Sequence, residues 1–191
     1  MSITIRKSQA TDVVYALKLS TLYKASAARR KTGIATRSAE YISTKIEKGD
    51  AIIALENDQL AGFCYIETFT EGSYVSNSGL IVDIPFQGLG LASKIKNAVL
   101  TLAREKYPDA QVFGITTSPI VMNINFRLGY KPVPFHQLTD DEEFWNGCKT
   151  CVNYDVLTRN RKELCLCTGM IAPSGNELQS IKKKKNENKE K

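Results

Sequence analysis

A glycine-spaced segment in the middle of the chain has the residue types of a phosphate-binding loop. Gln87-Gly88-Leu89-Gly90-Leu91-Ala92 follows an apolar run and leads into a segment with helical spacing. The start of a helix presents unpaired backbone N–H groups and the positive end of the helix dipole, and both favour a phosphate. The segment therefore predicts a diphosphate cradle in which side chains at the glycines would block the ligand, although glycine at such a turn also serves packing alone.

The residues around this loop narrow the kind of diphosphate ligand. A P-loop ends in Gly-Lys-Ser/Thr, whereas Gly90 is followed by Leu-Ala-Ser-Lys. A dinucleotide fingerprint needs a third small residue, which Ser93 could supply. It also needs a doubly wound parallel sheet, and the flanking hairpin patterns do not predict one. Coenzyme A remains as the better candidate.

Four of the five cysteines have the spacing of a metal-ligand set. Cys148-Lys-Thr-Cys151 and Cys165-Leu-Cys167 are separated by thirteen residues, while Cys64 stands alone in an apolar run and is expected to be a core residue. Cys-x-x-Cys forms a knuckle, and the two thiols of an extended Cys-x-Cys point to the same side. Four thiolates could then surround a structural zinc ion, and free buried thiols are the alternative.

A cationic loop lies between the first two predicted helices. RRKTGIATR, residues 29–37, contains Arg29, Arg30, Lys31 and Arg37. Arginine makes two-pronged contacts with carboxylates, so this loop indicates an acceptor substrate with acidic groups. A solvated surface loop is the alternative.

The elements that must position these residues are those of one α+β domain. A mixed, mostly antiparallel sheet of six to seven strands flanked by helices is expected over residues 1–179, with a four-cysteine element at 148–167 and a disordered lysine-rich tail at 180–191. Periodicity predicts helices at 13–28, 38–49, 91–106 and 119–128, and strands at 3–5, 51–55, 60–69, 73–82, 112–116, 130–135 and 152–157.

The charge of the chain is concentrated at one end. Of the formal +6 for 191 residues, the last twelve, SIKKKKNENKEK, supply six lysines against two glutamates, which is +4. Such a run is most often a solvated end, so a nucleic-acid partner is not expected. No stretch approaches the roughly 18 apolar residues of a membrane span, and the N-terminus lacks a signal-peptide core. We therefore expect a cytoplasmic protein without a membrane partner, in which structural disulfides are disfavoured.

The loop, the element order and a later junction together resemble the GNAT superfamily of acyl-CoA N-acyltransferases over about 135 residues. Gln87-x-x-Gly90-x-Ala92 matches the family's Q/R-x-x-G-x-G/A motif, and Phe126-Arg-Leu-Gly129-Tyr130 resembles its helix-to-strand junction. The resemblance implies that backbone N–H groups from Gly88 to Ser93 hold the pyrophosphate of CoA, while its pantetheine arm adds a strand beside residues 80–82. The implied cofactor-binding residues are Leu80, Ile81, Val82, Gln87, Gly88, Leu89, Gly90, Leu91, Ala92, Ser93 and Asn125.

The resemblance also implies catalytic roles, with departures from the family pattern. A backbone N–H near Leu80 or Ile81 would face the thioester oxygen and stabilise the oxyanion. Many members place a carboxylate base on the fourth strand, where this chain has Ser76 and Asn77. Glu67 on the neighbouring strand is the nearest candidate base, acting through a water, and a solvent-facing strand glutamate is its alternative.

The family's acid is also replaced. Asn125 stands where many members carry a tyrosine that protonates the departing thiolate. The pKa of an unperturbed thiol is about 8.5, so a thiolate can leave without full protonation. His136, the single histidine, is expected beyond the cleft.

A closer resemblance concerns the acceptor. Several segments of the chain resemble short bacterial GNAT proteins associated with arginine biosynthesis, which are similar to glutamate N-acyltransferases. These segments are KTGIATRSAEYI, GFCYIET, NSGLIV and FWNGCKTCVNYDVL, ending in CLCTGM. This implies transfer of an acetyl or succinyl group from acetyl-CoA or succinyl-CoA to the α-amine of a small acidic amino acid, such as L-glutamate. The expected acceptor contacts are Arg29, Arg30, Arg37 and Thr116.

Two other functional classes stay open. A GNAT enzyme acting on a protein N-terminus or an antibiotic amine would have an acidic acceptor groove, because such acceptors are cationic. A non-catalytic zinc-ribbon-like module would carry basic and aromatic residues around its cysteines. The acidic run Asp140-Asp141-Glu142-Glu143 occupies that region instead. A homodimer is possible, and the sequence does not fix the oligomeric state.

Overall fold

The computed structural model describes residues 2–30 and 35–187, and in these residues the chain forms one seven-stranded sheet flanked by helices. The strand order is β1-β2-β3-β4-β5-β7-β6, and only the β4–β5 pair is parallel. The expected α+β fold with a mostly antiparallel sheet is therefore confirmed. The strands are β1 (Ile3–Lys7), β2 (Ala51–Glu56), β3 (Gln59–Phe69), β4 (Tyr74–Val82), β5 (Gln111–Thr116), β6 (Lys131–Val133) and β7 (Thr168–Ala172).

Seven α-helices occur in the same residues. None of them has the length and apolar character needed to cross a membrane. They are α1 (Ala16–Arg30), α2 (Ala39–Glu47), α3 (Leu91–Lys106), α4 (Pro119–Arg127), α5 (Glu142–Asn146), α6 (Tyr154–Arg159) and α7 (Gly175–Glu187).

The core has a layer on each face of the sheet. Leu19 of α1 and Ile42 of α2 pack with Phe63 on one face. Ile95 and Val99 of α3 pack with Cys64 and its neighbours on the other face. Because side chains of a strand alternate between faces, the apolar run of β3 supplies both layers.

Strand β4 has two irregularities that open the sheet. Opposite β3, Phe63 pairs with Ile81 and Tyr65 with Ser78, so β4 accommodates an extra residue at Gly79. On its other edge, β4 pairs with β5 only from Tyr74 to Ser76. Beyond that point, the two strands diverge and leave a wedge-shaped gap between them.

The predicted strand at 152–157 is wrong, because residues 154–157 form the first part of the short helix α6. Tyr154 and Leu157 lie three residues apart and pack with Phe113 and Trp145 in a further apolar cluster, whereas Val152 is 73% exposed. This is helical rather than alternating burial. The last strand of the sheet is β7, which follows directly after Cys167.

The lysine-rich end also differs from expectation, because helix α7 extends through residues 180–187. The hydroxyl of Ser174 accepts a hydrogen bond from the Glu177 N–H at 3.1 Å, and the Glu177 carboxylate accepts one from the Ser174 N–H at 2.8 Å. This reciprocal capping box starts the helix, and lysine is a good helix former. Residues 188–191 lie outside the described part of the chain.

Candidate active site

A cavity of about 510 Å³ opens where β4 and β5 diverge. Its walls come from the end of α1, the segment before α2, the bulge of β4, the end of β5 and the four-cysteine segment. Asn77, Ser78, Leu80 and Ile81 line the cavity from β4, and Thr116 lines it from β5. The cavity therefore places residues predicted for CoA, for catalysis and for the acceptor around one space.

The bulge of β4 is fixed by glycine and by two tyrosines. Gly79 has φ +65°, and its carbonyl accepts a hydrogen bond from the hydroxyl of Tyr23. A Cβ at position 79 would lie 2.8 Å from that hydroxyl oxygen and would collide with the ring of Tyr65. Only glycine fits both the backbone angle and the space, so the orientation of the neighbouring Leu80 amide is set by this packing.

The glycine-spaced loop leads into α3 on the surface of the domain. Gly88 and Gly90 have φ +82° and +72°, and a Cβ at either would meet nothing within 4 Å. Glycine is therefore favoured by the backbone angle, and the space beside each Cβ is free of protein atoms. That side chains here would block the ligand stays a prediction. The Gln87 side chain donates to the Val82 carbonyl at 2.9 Å and ties the loop to the end of β4.

Most amides of this loop are available to a ligand. The N–H of Ser93 donates to the Gly90 carbonyl at 3.2 Å, so Ser93 is used by the helix itself. Among the described residues, no acceptor engages the N–H groups of residues 88–92. The set of free donors is thus one residue shorter than the sequence implied.

Arg37 is a half-buried cation held by neutral groups. Its Nε donates to the Tyr65 hydroxyl at 2.7 Å, and its Nη1 donates to the Ala35 carbonyl at 2.7 Å. The guanidinium carbon lies 4.9 Å from the ring centroid of Tyr23 and 5.5 Å from that of Tyr65. In residues 2–30 and 35–187 no carboxylate pairs with it. Arg37 thus presents an uncompensated positive charge to the cavity.

The other cations of the basic loop differ in whether they reach the cavity. Arg29 and Arg30 are both exposed at the end of α1, and of the two only Arg30 lines the cavity. Lys31 lies outside the described residues.

Glu67 reaches the cavity but is already engaged. Its Oε1 accepts a hydrogen bond from the Tyr41 hydroxyl at 2.7 Å and forms an ion pair with Lys45. Burial raises the pKa of Tyr41, and the hydroxyl of Tyr65 and the carboxylate of Glu67 raise it further. Glu67 is therefore not a free surface carboxylate, and its second oxygen, Oε2, is the one left for a water or substrate.

Ser76 and Asn77 differ from each other in position. Ser76 is buried, accepts a hydrogen bond from the Ser78 hydroxyl at 3.1 Å and does not line the cavity. Asn77 lines it, donates to the Tyr130 hydroxyl at 3.3 Å and accepts from the Cys64 thiol at 3.1 Å. Neither side chain can accept a proton at neutral pH, so their contacts are those of positioning groups.

The sequence analysis missed one ionisable residue of the cavity. Lys96 of α3 is only 2% exposed and lines the cavity, and its Nζ lies 5.5 Å from the ring centroid of Tyr130. Burial lowers its pKa below the ordinary value of lysine. The spacing of Ala92, Lys96 and Val99 could have shown that this lysine lies on the buried side of the helix.

Two predicted positions lie away from the cavity. Asn125 is 2% exposed, its Nδ2 points to the Met170 sulfur at 3.6 Å, and it is not part of the lining. Its Oδ1 is buried with no partner among the described residues. His136 is exposed and outside the cavity, as expected.

All four clustered cysteines line the cavity, but the zinc expectation is not supported. The described residues contain no group of three or more His, Cys, Asp or Glu side chains arranged to hold a metal ion. The thiol of Cys165 points toward the Asn153 carbonyl at 3.9 Å, and the Asn153 N–H donates to the Cys151 sulfur at 3.4 Å. Burial raises the pKa of Cys148 to about 11 and that of Cys167 to about 12. Cys148 and Cys167 are therefore neutral thiols at pH 7 in this arrangement.

The cysteine segment is connected to the basic loop. The N–H of Thr36 donates to the hydroxyl of Thr150 at 3.0 Å, and Thr150 stands between Cys148 and Cys151. The segment that carries Arg37 therefore contacts the wall formed by the cysteines.

Comparison with protein-family models shows to which family the chain belongs. The model of the Acetyltransferase (GNAT) family matches residues 20–118, which span β2 to β5 and the glycine loop. The chain belongs to the GNAT acetyltransferase family. It is accordingly an acyl-CoA-dependent N-acyltransferase.

GNAT proteins of several kinds share the fold. N-acetylglutamate synthase from Neisseria gonorrhoeae, complexed with coenzyme A and N-acetyl-glutamate, has a TM-score of 0.63 at 15% identity, over 91% of this chain and 35% of that one. A phosphinothricin acetyltransferase from Sinorhizobium meliloti, in complex with AcCoA, has a TM-score of 0.60 at 16% identity, over 92% and 90%. Ard1 from Thermoplasma volcanium has a TM-score of 0.58 at 12% identity, over 91% and 99%. No curated protein matches the chain.

In a GNAT enzyme, the gap between β4 and β5 is where the pantetheine arm of CoA is expected. The edge of β4 beyond Ser76 has no strand partner in the described residues, and it leads from the cavity toward the loop at residues 88–92. A pantetheine arm along this edge would join the two. The individual CoA contacts stay predictions.

Proposed function

We propose that this GNAT enzyme transfers an acetyl or succinyl group from CoA to the α-amine of a small acidic amino acid, L-glutamate, in arginine biosynthesis. The observation that supports this acceptor most directly is the Arg37 guanidinium, which faces the cavity without a carboxylate partner. The resemblance of the surrounding sequence to short GNAT proteins of arginine biosynthesis adds the pathway.

The contacts of Arg37 leave it ready to bind an anion. Two of its donor atoms are held by Tyr65 and Ala35, and this fixes the plane of the guanidinium while Nη2 remains for a ligand. A positioned guanidinium loses little side-chain entropy when it binds a carboxylate. Arg30 at the same cavity supplies a second cation for an acceptor with two carboxylates.

A neutral analogue would leave this arginine without its charge-assisted contact. Such an unmade contact costs about 1.5–3 kcal/mol, which is about ten- to hundred-fold in kcat/KM. L-Glutamate should therefore react faster than L-glutamine by about this factor, provided that Arg37 binds the side-chain carboxylate.

The chemistry at the thioester follows from the β4 bulge. The amine attacks the carbonyl carbon, and a backbone N–H at Leu80 or Ile81 stabilises the oxyanion. The amine must lose a proton, and Glu67 accepts it through a water at Oε2, since Oε1 is held by Tyr41 and Lys45. A positioned base of this kind typically contributes about 10² to 10⁴ in rate.

An acceptor screen tests the proposal. Thiol release from acetyl-CoA and from succinyl-CoA is followed with L-glutamate, L-aspartate, L-glutamine, a polyamine and a peptide with a free N-terminus. We expect glutamate to give the highest kcat/KM, and Arg37→Gln to remove most of the preference over glutamine. Arg29→Gln is the matched control, because Arg29 lies outside the cavity lining. Equal rates with glutamate and glutamine, or reaction only with the polyamine or peptide, would overturn the acidic acceptor.

A further inference from the structure

Lys96 is a buried amine with no compensating charge. In the described part of the chain, its Nζ makes no ion pair and no hydrogen bond. The titratable groups that face it are the Cys64 thiol on β3 and the Tyr130 hydroxyl after α4. Burial raises the pKa of Cys64 to about 11 and raises that of Tyr130, so both groups are neutral at pH 7.

This arrangement costs stability and needs a reason. Burial of the side chain without an ion-pair partner is unfavourable for the ammonium form, and an apolar side chain would pack better at this position. Lys96 projects from the sheet-facing side of α3, where its neighbours Ile95 and Val99 belong to the core. A lysine kept at such a position indicates a partner that arrives with the substrate.

The position of Lys96 indicates that this partner is the sulfur end of CoA. Lys96 is one helical turn after Ala92, so it lies on the same face of α3 as the end of the free-amide loop. It also lines the cavity together with Leu80 and Thr116, which stand on opposite sides of the gap between β4 and β5. A CoA molecule that enters from the loop and extends along β4 brings its sulfur into this gap.

We propose that Lys96 is the catalytic acid of this enzyme, which donates a proton from Nζ to the sulfur of CoA as the thioester breaks. Attack of the acceptor amine forms the C–N bond, and collapse of the oxyanion breaks the C–S bond with its electron pair on sulfur. The ammonium of Lys96 gives its proton to this sulfur, so CoA leaves as a thiol. The neutral lysine regains a proton from water after product release.

The environment of Lys96 suits this role. The family's tyrosine is replaced by Asn125, whose side chain is buried outside the cavity. Burial lowers the pKa of Lys96 from the ordinary value of 10.5, which makes its ammonium a stronger acid than that of an exposed lysine. A general acid is most efficient when its pKa lies near the operating pH, and a lowered lysine pKa is a change in that direction.

The test uses Lys96→Met in the full chain, with Lys24→Met as the matched control on the exposed side of α1. We expect Lys96→Met to lower kcat by about 10² or more, to change KM for acyl-CoA only slightly, and to leave the melting temperature unchanged or higher. Wild-type kcat should decrease at high pH, as Lys96 loses its proton, and this decrease should be absent in Lys96→Met. Lys24→Met should behave as wild type.

The outcomes separate this inference from the proposed acceptor. It rests on acyl transfer from CoA and uses whichever amine the screen identifies, so a failure of glutamate as acceptor does not affect it. A folded Lys96→Met variant with wild-type kcat would overturn the role of Lys96. A reduced kcat with the high-pH decrease unchanged would overturn it as well, since another group would then donate the proton.

Discussion

The bulge of β4 can be tested by adding one methyl group at Gly79. Gly79→Ala places a non-glycine residue at φ +65°, which costs about 1–2 kcal/mol of folding free energy from backbone strain. The new Cβ would also collide with the Tyr65 ring and the Tyr23 hydroxyl, and forced overpacking adds about 1–3 kcal/mol. The expected loss of unfolding free energy is therefore about 2–5 kcal/mol. For a domain of this size, that is a decrease in melting temperature of about 4–20 °C.

Gly72→Ala is the control for the backbone term alone. Gly72 has φ +88°, a Cβ there would meet nothing within 4 Å, and the residue lies outside the cavity lining. We expect a loss of only about 1–2 kcal/mol and an unchanged kcat. Gly79→Ala should in addition lower kcat by about 10², because a displacement of about 1 Å at the reacting groups has an effect of this size.

Two measurements test whether the packing of Gly79 affects stability and catalysis. Thermal unfolding by circular dichroism gives the stability of both variants, and steady-state thiol release gives kcat below the melting temperature. If Gly79→Ala and Gly72→Ala lose the same stability and both keep wild-type kcat, then the packing of Gly79 against the two tyrosines neither strains the fold nor sets the geometry of the reaction.

Further predictions concern the CoA loop, the stability at low pH and the buried thiol. Gly90→Glu should abolish CoA binding measured by calorimetry while the circular dichroism spectrum is retained, because it strains a position at φ +72° and places a negative charge beside the pyrophosphate; unchanged affinity would contradict the cradle. The hydrogen bond from Arg6 lowers the pKa of Asp12 in the folded protein. The pair therefore stabilises the fold fully at a pH above the unfolded-state pKa of about 3.9, and this stabilisation is lost as the pH falls through the lower folded-state pKa. Asp12→Asn should therefore lose about 1–3 kcal/mol at pH 7 in chemical denaturation and much less at pH 2; an equal loss at both would contradict the linkage. Burial raises the pKa of Cys64 to about 11, so this thiol should resist alkylation at pH 8 in the folded protein, and rapid labelling of Cys64 detected by mass spectrometry would show that the core is open.

Local spacing predicted the parts of the site that depend on neighbouring residues. The loop at residues 87–92 and helix α3 follow from glycine spacing and a long apolar repeat, which are strong local signals. The segment 152–157 was misassigned, because apolar residues at 152, 154 and 156 alternate with polar ones as in a strand, while Tyr154 and Leu157 also have helical spacing. So short a run fits either structure.

The missing parts of the site depend on contacts that are distant in sequence. Glu67 was predicted as a candidate base, with a solvent-facing glutamate as the alternative, and its ion pair with Lys45 of α2, 22 residues away, was not foreseen. The hydrogen bond between Tyr23 and Gly79 spans 56 residues, and no local pattern reports such a pair. Lys96 was overlooked because lysine is normally a surface residue, and its burial becomes visible only once α3 is packed on the sheet.

The gap between β4 and β5 makes the stability of the folded enzyme, and so its lifetime in the cell, depend on its own substrate. If the pantetheine arm completes this sheet, CoA binds the folded chain and not the unfolded one. The unfolding free energy then rises by about 2.7 kcal/mol when free CoA reaches 100 times its dissociation constant. This reduces the unfolded fraction about 100-fold, and proteases act mainly on that fraction. A cell rich in acyl-CoA would therefore retain more of this protein, and starvation for acyl-CoA would shorten its lifetime without any dedicated regulator.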